Sequence, residues 1–151
     1  MKIIFGASSG GHFEQLMMLK PLMKKYDSIL LTEKTVYGAS LDDVKTYYAK
    51  QINRKEILFP IKIVVNAFES LVLILREKPD VMITTGVLAM VPCALLMKLT
   101  GRKLIYIESF AKVTSRTLSG KLLYKYADQF YVQWEEMLKL YPNAIYKGGI
   151  Y

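Results

Sequence analysis

Short apolar runs alternate with segments of helical periodicity along the chain. The apolar, β-branched runs predict strands over residues 2–5, 28–32, 56–59, 81–85, 103–107 and 129–132. Apolar residues three or four positions apart predict helices over residues 15–25, 39–50, 61–77, 91–99, 119–126 and 135–141, with Pro21 kinking or restarting the first. Continuous apolar strands are typical of a parallel sheet that is covered on both faces. The pattern therefore predicts an α/β fold with a doubly wound, mostly parallel, Rossmann-like sheet.

Length and composition are those of one globular domain over residues 1–151. Apolar residues make up 52% of the chain and charged residues 23%, which excludes intrinsic disorder and fibrous classes. The chain has one cysteine, Cys93, which lies in an apolar run and excludes an internal disulfide and a cysteine-based zinc site. We expect Cys93 to be a small core residue.

The formal net charge of +8 predicts an anionic partner. The basic residues form no consecutive run and do not alternate with aromatic residues, so nucleic-acid binding is not expected. Phosphorylated substrates and anionic lipid headgroups remain as partners. The first residues lack the pattern of an export signal, which predicts a cytoplasmic protein.

Two apolar segments bear on membrane attachment. Residues 81–97 carry no charge, but Thr84, Thr85, Gly86 and Pro92 divide them into a strand, a loop and a helix rather than a membrane span. Residues 61–75 have their polar side chains near one helical stripe, which leaves a broad apolar face. That face predicts either a core helix or a peripheral membrane contact.

Ligands of a parallel sheet gather at the carboxyl ends of its strands. After the first strand come Gly6, Ala7, Ser8, Ser9, Gly10, Gly11 and His12, directly before a helix. Glycine backbone and a helix start favour a phosphate or a sugar, although the loop lacks both the dinucleotide and the Walker A spacing and is also compatible with a plain turn. His12 is either a base or hydrogen-bond donor in this crevice, or a residue that holds the loop.

Two later strand ends carry further candidates. Gly86 allows a close approach of the backbone after the fourth predicted strand, although a turn explains it equally. Glu108 follows the fifth, where a carboxylate is costly unless it is paired or functional. It is interpreted as a base, as a group that binds a sugar hydroxyl or orients His12, or as the partner of Lys112 or Arg116 in an ion pair.

Five short motifs in order carry a resemblance to a known family. They are the glycine loop 6–12, the strand and turn 79–86 with Pro92, residues 107–110, residues 117–124 and residues 127–134. Together they resemble the Alg14-like family of oligosaccharide biosynthesis proteins, which includes bacterial PssD/CpsF-type glycosyltransferase subunits. The layout is also similar to the amino-terminal half of MurG, a GT-B glycosyltransferase.

The resemblance implies one half of a split enzyme. Its partner would be a separate carboxyl-half subunit that holds the UDP-sugar, and the acceptor would be a lipid-diphosphate-linked sugar at the inner face of the plasma membrane. The bacterial branch implies β-1,4-galactosyl transfer in capsule or exopolysaccharide synthesis. The alternatives are a noncatalytic activator or membrane-recruiting scaffold for that partner and an independent nucleotide-binding protein. No resident cofactor and no metal site are expected.

The resemblance also assigns roles to residues of this sequence. It places His12 and Glu108 in catalysis, and it places Ser9, Gly10, Gly11, Gly86 and Ser109 at the substrates. The family often has glutamate at the position that Gln15 occupies, so an essential carboxylate there is not expected. A peripheral membrane or partner surface is expected at Arg54, Lys55, Lys62 and Phe68.

Overall fold

The computed structural model describes residues 1–34, 41 and 43–151. Within them, seven strands form one sheet in the order β3-β2-β1-β4-β5-β6-β7, and all neighbouring strands are parallel. The strands are β1 Lys2–Ala7, β2 Asp27–Glu33, β3 Lys45–Ala49, β4 Val81–Thr84, β5 Lys103–Ile107, β6 Gln129–Val132 and β7 Ile145–Tyr146. The predicted doubly wound parallel sheet is confirmed.

Helices connect the strands and cover both faces of the sheet. The α-helices are α1 Gly11–Met17, α2 Lys20–Lys25, α3 Phe59–Glu77, α4 Val91–Leu99 and α5 Leu118–Leu123, and two 3₁₀ helices span Leu88–Met90 and Glu135–Lys139. Alternate residues of β1 enter different clusters. Ile4 packs with residues of α3 and α4, whereas Ile3 and Phe5 pack with residues of α1 and α2. Cys93 is fully buried in the first cluster, as predicted.

The strand order reverses direction next to β1. In the sheet, β1 lies between β2 and β4, with Phe5 opposite both Leu30 and Ile83. The connections that leave β1 and β4 therefore diverge, and the divergence opens a crevice at the carboxyl ends of these two strands. Ligands of doubly wound sheets bind at such a point.

Two predicted elements between β2 and α3 are wrong. Residues 45–49 form β3 rather than part of a helix over 39–50, and the other end of that predicted helix, residues 39, 40 and 42, lies outside the described residues. The run Thr46, Tyr47 and Tyr48 is β-branched and aromatic, and it pairs with β2. Residues 56–59, predicted as a strand, are instead a turn over 56–58 followed by Phe59, which begins α3, with Pro60 in the first turn of the helix.

Smaller differences concern the ends of elements. Residues 15–25 are two helices, and Pro21 lies in the first turn of the second, which confirms the predicted restart. The helix predicted over 61–77 begins two residues earlier, and the one predicted over 135–141 is a 3₁₀ helix. The short β7 was not predicted, because two residues are too few to give a period.

A cluster of charged and polar groups around the buried Glu77 ties α3 to the sheet. The Glu77 carboxylate forms an ion pair with Lys45, accepts a hydrogen bond from the Tyr47 hydroxyl at 2.5 Å and lies 3.3 Å from Lys2 Nζ. These contacts, with that from Lys45 the strongest, lower the pKa of Glu77 to about 2 against the opposing effect of burial. The cluster therefore favours the charged carboxylate in the folded state.

This lowered pKa predicts a pH dependence of stability. A carboxylate with a lowered pKa in the folded state stabilises the fold above its unfolded pKa, and this stabilisation disappears as the pH falls from about 4.5 to about 2. We expect the free energy of unfolding in urea to differ most between the wild-type chain and Glu77→Gln above pH 4.5. The difference should shrink toward pH 2, and a difference that is constant with pH would contradict the assignment.

Candidate functional site

The loop after β1 meets the end of β4 at the crevice. Residues Ser8 to Gly10 connect β1 to α1. The backbone of Gly10 has a φ of 79° and a ψ of −146°, a conformation that glycine adopts readily and other residues rarely adopt. Its carbonyl accepts hydrogen bonds from the N–H groups of Phe13 and Glu14 at 2.9 and 3.0 Å. The glycine thus turns the chain sharply from the sheet into α1.

His12 is fixed to the end of β4 by two reciprocal hydrogen bonds. Its Nδ1 lies 2.8 Å from the Thr85 carbonyl oxygen, and the Thr85 hydroxyl donates to the His12 carbonyl oxygen at 2.8 Å. A carbonyl oxygen only accepts, so the neutral ring carries its proton on Nδ1 and keeps the lone pair on Nε2. The half-buried imidazole is therefore oriented with Nε2 as its proton acceptor.

The residues before His12 border open space. Gly10 and Gly11 are exposed, and a Cβ built on either glycine would have no neighbouring atom within 4 Å. Ser9 is half-buried in the same loop, and its carbonyl oxygen accepts a hydrogen bond from Ser8. The predicted residues Ser9, Gly10, Gly11 and His12 thus lie together on an accessible surface.

Gly86, in contrast, is buried. It has a φ of 99°, and a Cβ there would lie 2.7 Å from the Tyr106 hydroxyl oxygen. The next residue, Val87, is β-branched yet has a φ of 94°, and its N–H donates to the Ser119 hydroxyl at 3.1 Å. Only glycine at position 86 lets the backbone pass this close to Tyr106. The strained backbone of Val87 follows directly, at the crevice. The expected contact of Gly86 with an acceptor stays a prediction.

Glu108 lies beneath the surface, with 1% of its area exposed. Its carboxylate accepts hydrogen bonds from the Ser109 N–H at 2.9 Å, the Thr117 hydroxyl at 2.8 Å and the Tyr141 hydroxyl at 2.8 Å. A weaker contact comes from the Tyr106 hydroxyl at 3.5 Å. The carboxylate therefore joins the end of β5 to the segment before α5 and to Tyr141.

The Glu108 carboxylate affects the pKa values of the neighbouring tyrosines. Burial, followed by the charge of Glu108, raises the pKa of both Tyr106 and Tyr141 well above the ordinary tyrosine value. Both phenols therefore stay protonated and able to donate. These contacts are those of a positioning residue, and the expected contact of Glu108 with a sugar stays a prediction.

Two of the alternative interpretations of Glu108, an ion pair and the orientation of His12, have no matching contacts among the described residues. Among the described residues, neither Lys112 nor Arg116 forms an ion pair with it, and the contacts of His12 go to Thr85 instead. Ser109 is also buried, with its N–H donated to Glu108. The predicted site residues thus separate into an accessible group at 9–12 and a buried group made of Gly86, Glu108 and Ser109.

Sequence reasoning missed Gln133, which connects several parts of the site. Its Nε2 donates to the Glu108 carbonyl oxygen at 2.8 Å and lies 3.2 Å from Gln15 Oε1, and its Oε1 accepts from the Ile150 N–H at 3.0 Å. Gln15 and Gln133 are both buried. The sequence signal that could have identified Gln133 is its position directly after β6, at a strand end. Gln15 is a structural amide in α1.

The outer side of α3 carries a continuous row of exposed apolar side chains, here called the apolar stripe. Ile57 is 96% exposed and Phe68 is 67% exposed. The spacing of three and four residues puts the members within α3 on one helical face. The stripe consists of Ile57, Leu58, Ile61, Val64, Phe68, Val72 and Leu75.

Polar residues on the inner side fix this orientation of α3. Asn66 is 1% exposed, and its side-chain amide accepts from the Lys50 N–H at 2.8 Å and donates to the Lys50 carbonyl oxygen at 2.9 Å. Ser70 and Glu77 are also on the buried side. Rotation of the helix to hide the stripe would leave these buried polar groups without partners, which is costly. The stripe is therefore a fixed feature of the fold. An exposed apolar surface of this kind is typical of a site that contacts another protein or a membrane.

Basic residues flank the start of the stripe. Arg54 and Lys55 are exposed, whereas Lys62 forms an ion pair with Glu56. The four residues predicted for a membrane or partner surface, Arg54, Lys55, Lys62 and Phe68, thus lie in or beside one region. Across the described ranges, none of the helices has the length and apolar character needed to traverse a bilayer.

Comparisons with known proteins confirm the resemblance to the Alg14-like family. A family model described as "Oligosaccharide biosynthesis protein Alg14 like" matches residues 1–150. The UDP-N-acetylglucosamine transferase subunit ALG14 of Yarrowia lipolytica is 30% identical over 97% of this chain and 80% of its own length. The protein of the same name from Mus musculus is 39% identical over 52% of this chain and 39% of its own length.

Solved structures show the same fold at low identity. MurG of Acinetobacter baumannii matches with a TM-score of 0.75 and 18% identity, over 89% of this chain and 42% of the MurG chain. A UDP-N-acetylglucosamine 2-epimerase from Rickettsia bellii matches with a TM-score of 0.74 and 12% identity, over 99% of this chain and 45% of the epimerase. The chain thus spans less than half of these two structures and has the Rossmann-like fold expected of the amino-terminal half of a GT-B enzyme. Because the family model matches nearly the whole chain, the chain belongs to the Alg14-like family of oligosaccharide biosynthesis proteins.

Proposed function

We propose that this chain is a subunit of a split, UDP-sugar-dependent glycosyltransferase that acts on a lipid-diphosphate-linked acceptor. The observation that carries the proposal is the orientation of His12, whose Nδ1 is held at 2.8 Å by the Thr85 carbonyl oxygen while Nε2 is left as the proton acceptor. Its position at the β1/β4 crevice is where this fold class binds ligands. The relatives, named as sugar transferase subunits, support the same reaction class.

In the proposed reaction, His12 acts as the general base. Nε2 accepts the proton of an acceptor hydroxyl while the hydroxyl oxygen forms a bond to the anomeric carbon of the sugar. The bond between that carbon and the UDP oxygen breaks, and UDP leaves with the electron pair. Glu108 has a positioning role, because its contacts hold the loop that follows β5.

The second half of the site is proposed to come from a separate carboxyl-half subunit that holds the UDP-sugar. The match to less than half of the MurG chain, together with the word "subunit" in the relatives' names, supports this division. The resemblance to PssD/CpsF-type proteins favours β-1,4-galactosyl transfer onto a lipid-linked glucose in capsule or exopolysaccharide synthesis. The names of the relatives favour UDP-N-acetylglucosamine as the competing donor.

The test compares the two donors directly. The chain is co-purified with a candidate carboxyl-half subunit and incubated with a lipid-diphosphate-linked glucose and radiolabelled UDP-galactose or UDP-N-acetylglucosamine. We expect labelled lipid product with one donor, and UDP-galactose is the one that the bacterial branch predicts. A stable two-subunit complex that transfers neither sugar to a lipid-linked acceptor would contradict the proposal.

A second candidate function is a noncatalytic activator or membrane-recruiting scaffold for that partner. The exposed apolar stripe favours it, because the stripe is suited to recruitment whether or not His12 takes part in the reaction. Both functions place the chain at the cytoplasmic face of the plasma membrane, with the stripe in the interfacial region. They differ in the effect of removing His12.

Membrane attachment through the stripe predicts a clear effect of Phe68→Ser. Burial of a phenylalanine side chain contributes about 1.5–3 kcal/mol, so the partition of the chain onto vesicles of phosphatidylcholine and phosphatidylglycerol should fall roughly 10- to 100-fold. Sedimentation of the chain with the vesicles measures this partition. The free energy of unfolding should hardly change, because Phe68 is 67% exposed.

Leu99→Ser provides the matched control. Leu99 is also a large apolar residue, 82% exposed, but it lies at the end of α4 rather than in the stripe. Its substitution should leave vesicle binding unchanged. Equal losses in the two variants would mean that the stripe has no special role at the membrane.

A further inference from the structure

We propose that a basic cavity at the start of α3 binds the diphosphate of the lipid-linked acceptor. The cavity has a volume of about 500 Å³ and is lined by residues Gln51, Ile52, Asn53, Arg54, Lys55, Glu56 and Leu88. The inference rests on the proposed function for the identity of the acceptor. It adds a binding site outside the glycine loop and His12.

The charge of this cavity suits an anion. Arg54 and Lys55 are exposed and, among the residues that the structure describes, neither takes part in an ion pair. The acid in the lining, Glu56, is already paired with Lys62. The cavity therefore presents two uncompensated positive charges, and guanidinium and ammonium groups form the strongest hydrogen bonds to phosphate oxygens.

The local fold of the loop adds a neutral donor. Asn53 Oδ1 accepts a hydrogen bond from the Lys55 N–H at 3.1 Å, which leaves the Nδ2 group of the same amide as a donor. The same bond closes the turn between Asn53 and Lys55 that carries both basic side chains. A diphosphate offers several oxygens to such a set of donors.

The segments that line the cavity connect it to the apolar stripe and to the residues near His12. The apolar stripe begins at Ile57, which directly follows Glu56 of the cavity lining. Leu88, which also lines the cavity, begins the 3₁₀ helix that follows Gly86 and Val87. The residue before Gly86 is Thr85, which holds His12.

In the acceptor, a diphosphate joins an apolar isoprenoid chain to a sugar. In the protein, the lining of the basic cavity continues along the chain into the apolar stripe after Glu56 and leads back from Leu88 to Thr85, which holds the proposed base. An acceptor whose chain rests at the stripe would thus place its diphosphate at Arg54 and Lys55 and its sugar toward His12. An ordinary phospholipid has an anionic headgroup beside its apolar chains but no sugar to direct toward the crevice.

The test uses two kinds of vesicle with the full chain. One kind contains phosphatidylcholine with geranylgeranyl diphosphate, and the other has phosphatidylglycerol added to the same total charge. We expect the wild-type chain to bind the diphosphate vesicles about 10- to 30-fold more tightly, because a diphosphate concentrates its oxygens for charge-assisted hydrogen bonds from Arg54 and Lys55, whereas phosphatidylglycerol spreads the same charge over the surface. The double variant Arg54→Gln/Lys55→Gln should lose this preference.

Lys121→Gln/Lys139→Gln is the control of equal charge, because both lysines are exposed and distant in sequence from the cavity. It should keep the preference for the diphosphate. A preference that survives in Arg54→Gln/Lys55→Gln would overturn the proposal, and so would equal binding of the wild-type chain to both kinds of vesicle, which indicates general attraction to anionic lipid. Urea unfolding of each variant verifies that the fold is intact.

The outcome is independent of the proposed function. The vesicle assay needs neither the partner nor sugar transfer. If the two-subunit complex transfers no sugar while the diphosphate preference depends on Arg54 and Lys55, the proposed function fails and the binding site stands. If transfer occurs but the preference is absent, the binding site fails and the proposed function stands.

Discussion

Replacement of His12 by alanine is expected to lower the rate of sugar transfer by the assembled two-subunit enzyme about 10²- to 10⁴-fold, the usual contribution of a general base. The physical reason is the loss of Nε2, which the Thr85 carbonyl oxygen orients through Nδ1 at 2.8 Å. The measurement is the initial rate of transfer to the lipid-linked acceptor at saturating donor. Gel filtration of the complex verifies that the two subunits remain associated.

His12→Asn separates the chemical role from the structural one. The asparagine side-chain amide can donate to the Thr85 carbonyl oxygen in place of Nδ1, but it has no group equivalent to Nε2. We expect this variant to unfold like the wild-type chain and to transfer as slowly as His12→Ala. Wild-type transfer rates in His12→Asn would assign His12 to holding the loop and would favour the scaffold function.

Disruption of the buried network around Glu108 is expected to have the largest effect on stability. A Cβ at Gly120 would lie 2.2 Å from Glu108 Oε2 and 2.5 Å from the Tyr141 hydroxyl oxygen, far inside contact distance. Gly120→Ala must therefore displace the carboxylate or its donors and leave buried polar groups unpaired. The expected loss is about 3 kcal/mol or more, from overpacking and unsatisfied hydrogen bonds together, as measured by urea unfolding.

Gly11→Ala is the matched control for this substitution. A Cβ at Gly11 meets nothing within 4 Å, so its stability should stay within about 0.5 kcal/mol of the wild-type value. Glu108→Gln keeps the shape of the side chain but replaces one acceptor oxygen by a donor, and it should cost about 1–3 kcal/mol. A slow but fully stable Glu108→Gln enzyme would contradict the positioning role and support the predicted role in catalysis.

The alternation of strands and helices could be predicted because most strands here are continuous apolar runs. β1, β2, β4, β5 and β6 all have this character. β3 could not be predicted in the same way, because its five residues KTYYA contain no aliphatic run and are partly exposed at the edge of the sheet. Pairing with β2, a contact distant in sequence, decides its conformation.

The site was partly predictable for a similar reason. The position of His12 after the first strand follows from the chain order alone, but its partner Thr85 is 73 residues away. The direction of the Glu108 side chain depends on Thr117 and Tyr141, which lie 9 and 33 residues further on. A pattern of apolar and polar residues marks a strand end, but it does not indicate which long-range donors a carboxylate finds there.

The orientation of α3 shows the same limit. Its sequence has a broad apolar face, which is as typical of a core helix as of a surface one. Three contacts decide the outcome: Asn66 with Lys50, and Glu77 with Lys45 and Lys2. These contacts turn the polar side inward and leave the apolar stripe outside.

The proposed function requires that this chain supply one wall of a two-subunit active site. The most direct measurement is sugar transfer to the lipid-linked acceptor by the purified chain, by the purified carboxyl-half subunit and by both together at equal concentrations. We expect transfer by the pair to exceed the sum of the separate rates at least 100-fold, on the scale of a missing general base. Transfer by this chain alone at a rate that the second subunit does not change would contradict it.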